Sequence, residues 1–214
     1  MNNMKTCEFC NEFSSYPNSK FGKTYKDEKI INRIVANSIN FVVLPTIAQL
    51  VPNSYLVLPK KHYETYAQVP SEYYDELLSL VCKIEQKLNK NVILFEHGAK
   101  SCTDSGCGIY HAHIHIVPIN SDFDYSQLVG EDAKRENDFH KLMYSLSQSP
   151  NYIFYRENNG NYFYNTLCEH NRGMFISQYF RRWLHKKFQL NNGWNWNDYN
   201  FVEKSVLDAI ENMK

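Results

Sequence analysis

The sequence predicts an α+β fold built on a mainly antiparallel sheet. Three observations carry that expectation. Short apolar runs of strand length end at turn residues or prolines, one longer stretch has helical periodicity, and His111-Ala112-His113-Ile114-His115-Ile116-Val117 alternates with a period of two before Pro118. Strands interleaved with a single long helix and joined by short connections favour an antiparallel sheet with helices on it over a doubly wound parallel one.

Each element follows from local chemistry. The first 20 residues are polar and carry Cys7 and Cys10. Ile30–Val35 and Asn40–Leu44 read as strands, the second passing into Pro45, and Ser54–Leu58 reads as a third that ends at Pro59. Pro70-Ser71 opens a helix with Ser71 as N-cap and Glu72, Asp75 and Glu76 in its first turns, where the helix dipole favours negative charge. Its apolar face is Leu77, Leu80, Val81, Ile84 and Leu88, and it should run to about Asn89. Val92–Glu96 is the next strand, followed by a polar loop to Gly108 and then the histidine strand.

A boundary near residue 120 divides the chain into residues 1–120 and a smaller α+β extension, 121–214, expected to pack on the first part. In the extension Asp124–Glu136 is polar and expected to be exposed, and Glu136–Ser147 reads as a helix. Ile153–Arg156 and Asn161–Thr166 flank Glu157-Asn158-Asn159-Gly160, a hairpin signal. Ile176–Leu190 is an amphipathic helix, and Asp198 is placed to cap a last one reaching Asn212.

The histidine strand is the feature with chemical content. Alternate strand residues share a face, so His111, His113 and His115 are expected on one side of the sheet, neighbours about 6.5–7 Å apart. Residue frequency alone would produce such a run in about one in a hundred chains of this composition, which argues against an incidental origin. Imidazole serves near neutral pH as nucleophile, proton carrier or metal ligand. The run alone therefore leaves a metal site and a covalent phosphorus site open.

Composition narrows the partners. Lys plus Arg and Asp plus Glu both total 23, so no net basic charge points to duplex nucleic acid or an anionic membrane. No run of 18 or more apolar residues occurs, and the six cysteines read as reduced thiols or metal ligands, which together give a cytoplasmic expectation.

The flanks of the histidine strand carry a resemblance. Phe41-Val42-Val43-Leu44-Pro45-Thr46-Ile47, then Ser54-Tyr55-Leu56-Val57-Leu58-Pro59-Lys60-Lys61-His62, then Gly106-Cys107-Gly108 leading into His111–Val117, resemble the histidine triad (HIT) superfamily over about residues 7–118. The resemblance implies a HIT-like sheet with a long helix, and a nucleotidyl hydrolase or transferase acting on the α-phosphate of a nucleotide such as a dinucleoside polyphosphate or nucleoside phosphoramidate. It implies His113 as the nucleophile of a covalent nucleotidyl-histidine intermediate. His115 and His62 would orient it and assist the leaving group, and His111 would complete the cluster or serve a metal. Gly106, Cys107 and Gly108 would bring backbone N–H groups to the phosphate, and a small-molecule nucleotide and a homodimer are the expected partners. No cofactor is needed for that chemistry.

Several positions depart from the family pattern. Thr46 stands where many members have an Asp that holds ribose, and it keeps a hydroxyl without a carboxylate. Glu96, at the end of the strand that feeds the loop, is a candidate for ligand contact. Cys7-x-x-Cys10 has the spacing of half a zinc site, and the resemblance adds His111 to it. Another member of the usual ligand set falls on Ser54, leaving His97, Cys102 or Cys107 to complete a structural zinc. The alternative is two reduced thiols. In the extension, Gln178 and Arg181 share a helix face and are candidates to grip a distal phosphate. Trp194 and Trp196 are candidates to stack on a base or to pack on the neighbouring helices. Two other readings of the whole are a nucleotide-binding module without turnover and a zinc enzyme using the histidine strand as ligands.

Overall fold

The structure, a computed structural model, describes residues 7–24, 32–100, 109–119, 126–191, 193–196 and 203–214. Its strands are β1 (Ala36–Asn37), β2 (Phe41–Pro45), β3 (Tyr55–Pro59), β4 (Val92–Ala99), β5 (Ile114–Pro118), β6 (Lys134–Glu136), β7 (Asn151–Arg156) and β8 (Tyr162–Thr166). They form one sheet in the order β1-β2-β3-β5-β4-β7-β8-β6, with every pairing antiparallel. The α+β expectation holds, and the strands after residue 126 extend the same sheet. β7 pairs with β4 over six residues, from Leu94↔Arg156 to Ala99↔Asn151.

The sheet's alternation sorts residues onto two faces. On one lie Val43, Tyr55, Val57, Leu94, Ile114, Ile116, Tyr152 and Phe154, covered by α3 (Tyr74–Leu88) and α4 (Phe139–Ser147). The core face of α3 is Leu77, Leu80, Val81 and Ile84, as the helical spacing requires, and Asn89 ends the helix in the left-handed region at φ 47°. Asp138 caps α4 by accepting from Lys141 N at 2.9 Å. α6 (Glu203–Glu211) reaches this face too, where Tyr55 donates its hydroxyl proton to Ala209 O at 2.8 Å.

The opposite face carries the site. At one end α1 (Glu8–Ser14), followed by the short α2 (Lys20–Thr24), lays Phe9 on Val42, Leu44, Leu56 and Leu58. At the other, α5 (Tyr179–Lys187) covers Ile93, Phe95, Val117, Ile153 and Tyr155 with Phe180 and Leu184. A buried ion pair fastens α1: Arg33 donates from Nε and Nη2 to both carboxylate oxygens of Glu12, at 2.6 and 2.7 Å, and from Nη1 to Pro45 O. A planar guanidinium matches a carboxylate in this two-point geometry.

Several local expectations change. Ser71 opens a 3₁₀ turn (Ser71–Tyr73) and does not cap α3, which Tyr73 precedes without a side-chain cap. The first strand is the two-residue β1 rather than Ile30–Val35. Residues 32–35 are irregular, Val35 N donates to Val43 O, and positions 30 and 31 lie outside the described residues. β4 runs three residues past Glu96 because β7 pairs with it that far. α1 and β6 form in stretches that read as merely polar, since a short helix or edge strand needs few apolar residues once a neighbour supplies contacts. Asp198, the expected cap of the last helix, lies outside the described residues.

β4 also shows where a side chain is forbidden. A Cβ built on Gly98 would lie 2.5–2.8 Å from three ring carbons of Tyr152, which is fully buried on the neighbouring strand. Gly98→Ala is therefore expected to overpack the sheet and cost about 1–3 kcal/mol, seen as a lower urea midpoint at unchanged slope. An unchanged midpoint would contradict this contact.

Candidate functional site

Hydrogen-bonded pairing of the histidine segment begins only at Ile114, which stands opposite Val57, while His115 lies between Leu56 and Phe95. His111–His113 precede the strand, held there by Ala112 N donating to Tyr63 O at 2.7 Å. The three imidazoles consequently divide into two sets instead of forming one even row. Phe9 stands between them, with ring centroids 5.7 Å from His111 and 5.8 Å from His113.

His113 and His115 line a cavity of about 120 Å³. His113 donates from Nδ1 to His111 O at 2.6 Å, a choice of donor that leaves Nε2 with its lone pair. Burial lowers the pKa of His113 despite that hydrogen bond, and burial followed by the charges of His113 and Arg181 holds His115 well below the ordinary range. The two rings are 5.2 Å apart. His115 stacks on Phe95 at 4.5 Å, and Phe95 stacks in turn on Phe180 of α5 at 4.3 Å. Stacked contacts of this kind add about 0.5–1.5 kcal/mol beyond area burial, so α5 braces the ring position directly.

The extension forms part of the cavity wall through Gln178, Tyr179, Phe180, Arg181 and Trp196. Arg181 is clamped: Nε donates to Trp194 O at 2.8 Å and Nη2 to Ala48 O at 2.9 Å. Ala48 turns that carbonyl inward from the left-handed region (φ 52°), a conformation costly for a residue with a Cβ. Gln178 donates to Asn195 Oδ1 and accepts from Trp196 N, so its amide holds the 194–196 segment against the helix start. Trp196 lines the cavity with Lys20 3.8 Å above its ring, whereas Trp194 lies under Arg182. Thr46 lines the cavity and donates to Ser54 O at 3.3 Å.

The second set of imidazoles meets the thiols. Cys7, Cys10, His62 and His111 bring four donor atoms within 4.8 Å of one another. His111 Nδ1 is 3.4 Å from Cys7 Sγ and 3.6 Å from Cys10 Sγ, while His62 Nδ1 is 3.3 Å from Cys10 Sγ. A tetrahedral zinc with Zn–S of about 2.3 Å and Zn–N of about 2.0–2.1 Å requires S···N edges of about 3.6 Å. Nδ1 of His111 cannot share one proton equally with two thiols, but its lone pair and theirs can converge on one ion. Its other nitrogen, Nε2, donates to Pro59 O at 2.9 Å, the outer hydrogen bond that fixes the tautomer of a ligating imidazole. Burial and the neighbouring Cys7 push the Cys10 thiol up to about 12, and burial first, then the charges of His62 and His113, takes His111 down to about 4. These four residues fit a structural zinc.

This arrangement corrects several sequence expectations. His62 sits in the thiol cluster, its ring 4.9 Å from His111, because the turn after β3 carries it to Cys10 of α1. It supplies the fourth donor expected of His97, Cys102 or Cys107. Glu96 is not in the cavity. It alternates with Phe95 and His97 on β4, so its carboxylate is buried on the opposite face, accepting from Tyr152 Oη at 2.5 Å and Tyr66 N at 3.0 Å. His97, left to the loop by the sequence, lines the cavity instead. Arg33 and Phe9 are further lining residues that no motif indicated. Gly106, Cys107 and Gly108, with Cys102, lie outside the described residues.

Residues 28–122 match the family model for the HIT domain, and over that span the chain has a HIT-domain superfamily fold. The match covers somewhat less than half of the chain and leaves the extension outside it. No curated protein matches. Among solved structures, a hypothetical histidine triad nucleotide-binding protein from Sulfolobus tokodaii is 20% identical, with 65% of this chain and 87% of that one covered at a TM-score of 0.39. A HIT family hydrolase from Clostridium thermocellum is 13% identical, with 56% and 96% covered at 0.40. A HIT-like protein from Bartonella henselae is 20% identical, with 50% and 84% covered at 0.36. Among the described residues no helix is long and apolar enough to cross a membrane.

Glu96 makes stability depend on pH. Burial raises its carboxyl from 4.5 to about 8, against the opposing hydrogen bonds from Tyr152 and Tyr66 N. Between those values the native chain keeps a proton that the unfolded chain has lost. The contribution is complete below pH 4.5 and declines as pH rises toward about 8, by at most about 1.4 kcal/mol per pH unit. Glu96→Gln cannot ionise, so urea unfolding at pH 5 and pH 8 should show a smaller loss of stability for the variant than for the wild type. Equal losses would contradict the assignment.

Proposed function

We propose that the chain is a nucleotidyl hydrolase or transferase in which His113 attacks the α-phosphorus of a nucleotide. The observation that carries this reading is the Nδ1–H of His113 committed to His111 O at 2.6 Å, inside a cavity that also contains His115 and the guanidinium of Arg181. That hydrogen bond selects the tautomer with a nucleophilic Nε2, and burial keeps the ring neutral. In the first step the Nε2–phosphorus bond forms and the bond from phosphorus to the leaving group breaks, the leaving group taking the electron pair. In the second, water or another acceptor forms a bond to phosphorus while the Nε2–phosphorus bond breaks and its electron pair returns to His113, and the acceptor's proton passes to the departed leaving group or to solvent.

Arg181 is preorganised for developing negative charge because two carbonyls hold its guanidinium in place before substrate arrives. His115, pinned on Phe95, fixes the floor beside His113. The aromatic and aliphatic lining, including Phe9, Ile47, Leu56 and Trp196, suits a nucleobase and excludes water. Cys7, Cys10, His62 and His111 would hold zinc as a closed four-ligand set, which braces α1 and the approach to β5. Only one histidine of the strand belongs to that set, so zinc would support the site without meeting substrate.

The discriminating experiment incubates the full chain with α-³²P-labelled ATP, GTP, CTP and UTP, and with dinucleoside polyphosphates and nucleoside phosphoramidates, and follows mononucleotide release and acid-labile label on protein. Wild type should release mononucleotide and carry label, and His113→Ala should lose both by at least about 10³-fold. Equal slow release by the two proteins would remove the catalytic reading. Binding without label or turnover would leave a nucleotide-binding module.

A further inference from the structure

His97 has no place in the roles above, yet its position is closely determined. In the register of β4 and β5, Phe95 stands opposite His115, so the next same-face position, His97, falls beside His113 where β5 pairing stops. On its other side His97 pairs with Ile153 of β7. Its neighbours lock the backbone from the opposite face: Glu96 is tied to Tyr152 Oη and Tyr66 N, and Gly98 is pressed against the Tyr152 ring. The imidazole lines the cavity, and Nε2 is shielded from solvent without a hydrogen-bond partner among the described residues. Other polar groups of the wall are engaged with protein. Arg33 holds Glu12, Arg181 holds two carbonyls, Thr46 donates to Ser54 O and Gln178 ties the 194–196 segment. A buried polar atom left unpaired destabilises the fold, so such an atom facing a cavity points to a ligand that completes it.

We propose that His97 is a catalytic residue whose Nε2–H donates to a non-bridging oxygen of the α-phosphoryl group while His113 attacks. The inference rests on the His113 reading and deepens it. Phosphate oxygens only accept hydrogen bonds, so a bound substrate selects the Nε2–H tautomer of a neutral imidazole. Burial and the charge of His113 keep His97 neutral, near a pKa of about 4. The side-by-side placement sets His97 toward the equatorial oxygens, not along the line of attack. It keeps its proton throughout: the bond formed is His113 Nε2 to phosphorus, the bond broken is phosphorus to the leaving group, and His97 stabilises charge on the oxygen between.

Phosphorothioates test the contact, because sulfur is a poor acceptor and can be placed at either non-bridging position. The full chain is assayed with the Sp and Rp diastereomers of the α-thio analogue of whichever nucleoside triphosphate it turns over fastest. Wild type should prefer one diastereomer by at least about tenfold. His97→Phe should slow the all-oxygen substrate by about 10²–10³-fold and reduce the diastereomer preference to within a few fold. His97→Gln, which keeps a donor near Nε2, should recover part of both, and thermal melting of each variant separates loss of folding from loss of the contact. An unchanged preference in His97→Phe, a rate within a few fold of wild type, no preference in wild type, or no recovery in a folded His97→Gln would each overturn the proposal. If those outcomes occur while label still forms on His113, the fault lies with His97 alone. If wild type forms no label and turns over none of the nucleotides, the His113 reading fails and this inference falls with it.

Discussion

The structure depends most on where strand pairing begins. β3 and β4 hold β5 from Ile114 onward, and the three residues before it are held by other means. Ala112 N reaches Tyr63 O and His111 Nε2 reaches Pro59 O, so the peptide is drawn toward the end of β3 and the turn that follows it. That displacement puts His111 among the thiols and turns its carbonyl toward His113 Nδ1. One break in regular pairing thus separates the cluster of Cys7, Cys10, His62 and His111 from the cavity of His113 and His115, and the carbonyl of His111 in the first fixes the tautomer of His113 in the second.

The extension contributes to the same arrangement. Because β7 occupies the far side of β4 and pairs with it from Leu94 to Ala99, the stretch bearing His97 stays in the sheet beyond Phe95, where pairing with β5 has ended. α5 then lies across that face, and the stack Phe180–Phe95–His115 transmits its position to the pocket. At the other end Arg33 and Glu12 hold α1, which supplies both Phe9 and Cys10. Removing one member of such a buried pair leaves an uncompensated charge, at a cost of about 3–5 kcal/mol. The cavity is therefore walled by segments from both ends of the chain, fixed to one sheet.

Much of this was legible in the sequence. The helix Tyr74–Leu88, the strands around residues 41–45, 55–59 and 151–166, and the spacing of Cys7 and Cys10 follow from periodicity, turn residues and ligand spacing, although the expected Ser71 cap does not form. Gln178 and Arg181 both line the cavity, but Gln178 precedes α5 in the left-handed region (φ 59°), so the helical i, i+3 relation drawn from the sequence is not what places them there. What escaped was register. Glu96 and His97 are adjacent, and only the pairing Phe95↔His115 decides which of them faces the pocket. A one-residue shift exchanges their faces, and sequence alone carries no record of it. His62 escaped for a related reason: its approach to Cys10 spans 52 residues and depends on how the turn after β3 meets α1. Its motif gave it a part in proton chemistry, while the thiols lay too far away in sequence to claim it.

The central claim is the division of the three histidines, with His111 in a Cys₂His₂ cluster and His113 and His115 outside it. X-ray absorption at the zinc edge tests it most directly, on the zinc-loaded full chain and on single variants. The account predicts two sulfur ligands at about 2.3 Å and two imidazole nitrogens at about 2.0–2.1 Å, with one nitrogen lost in His62→Ala and the spectrum unchanged in His113→Ala and His115→Ala. A wild-type zinc bound by three imidazoles, or a nitrogen lost on replacing His113 or His115, would contradict it.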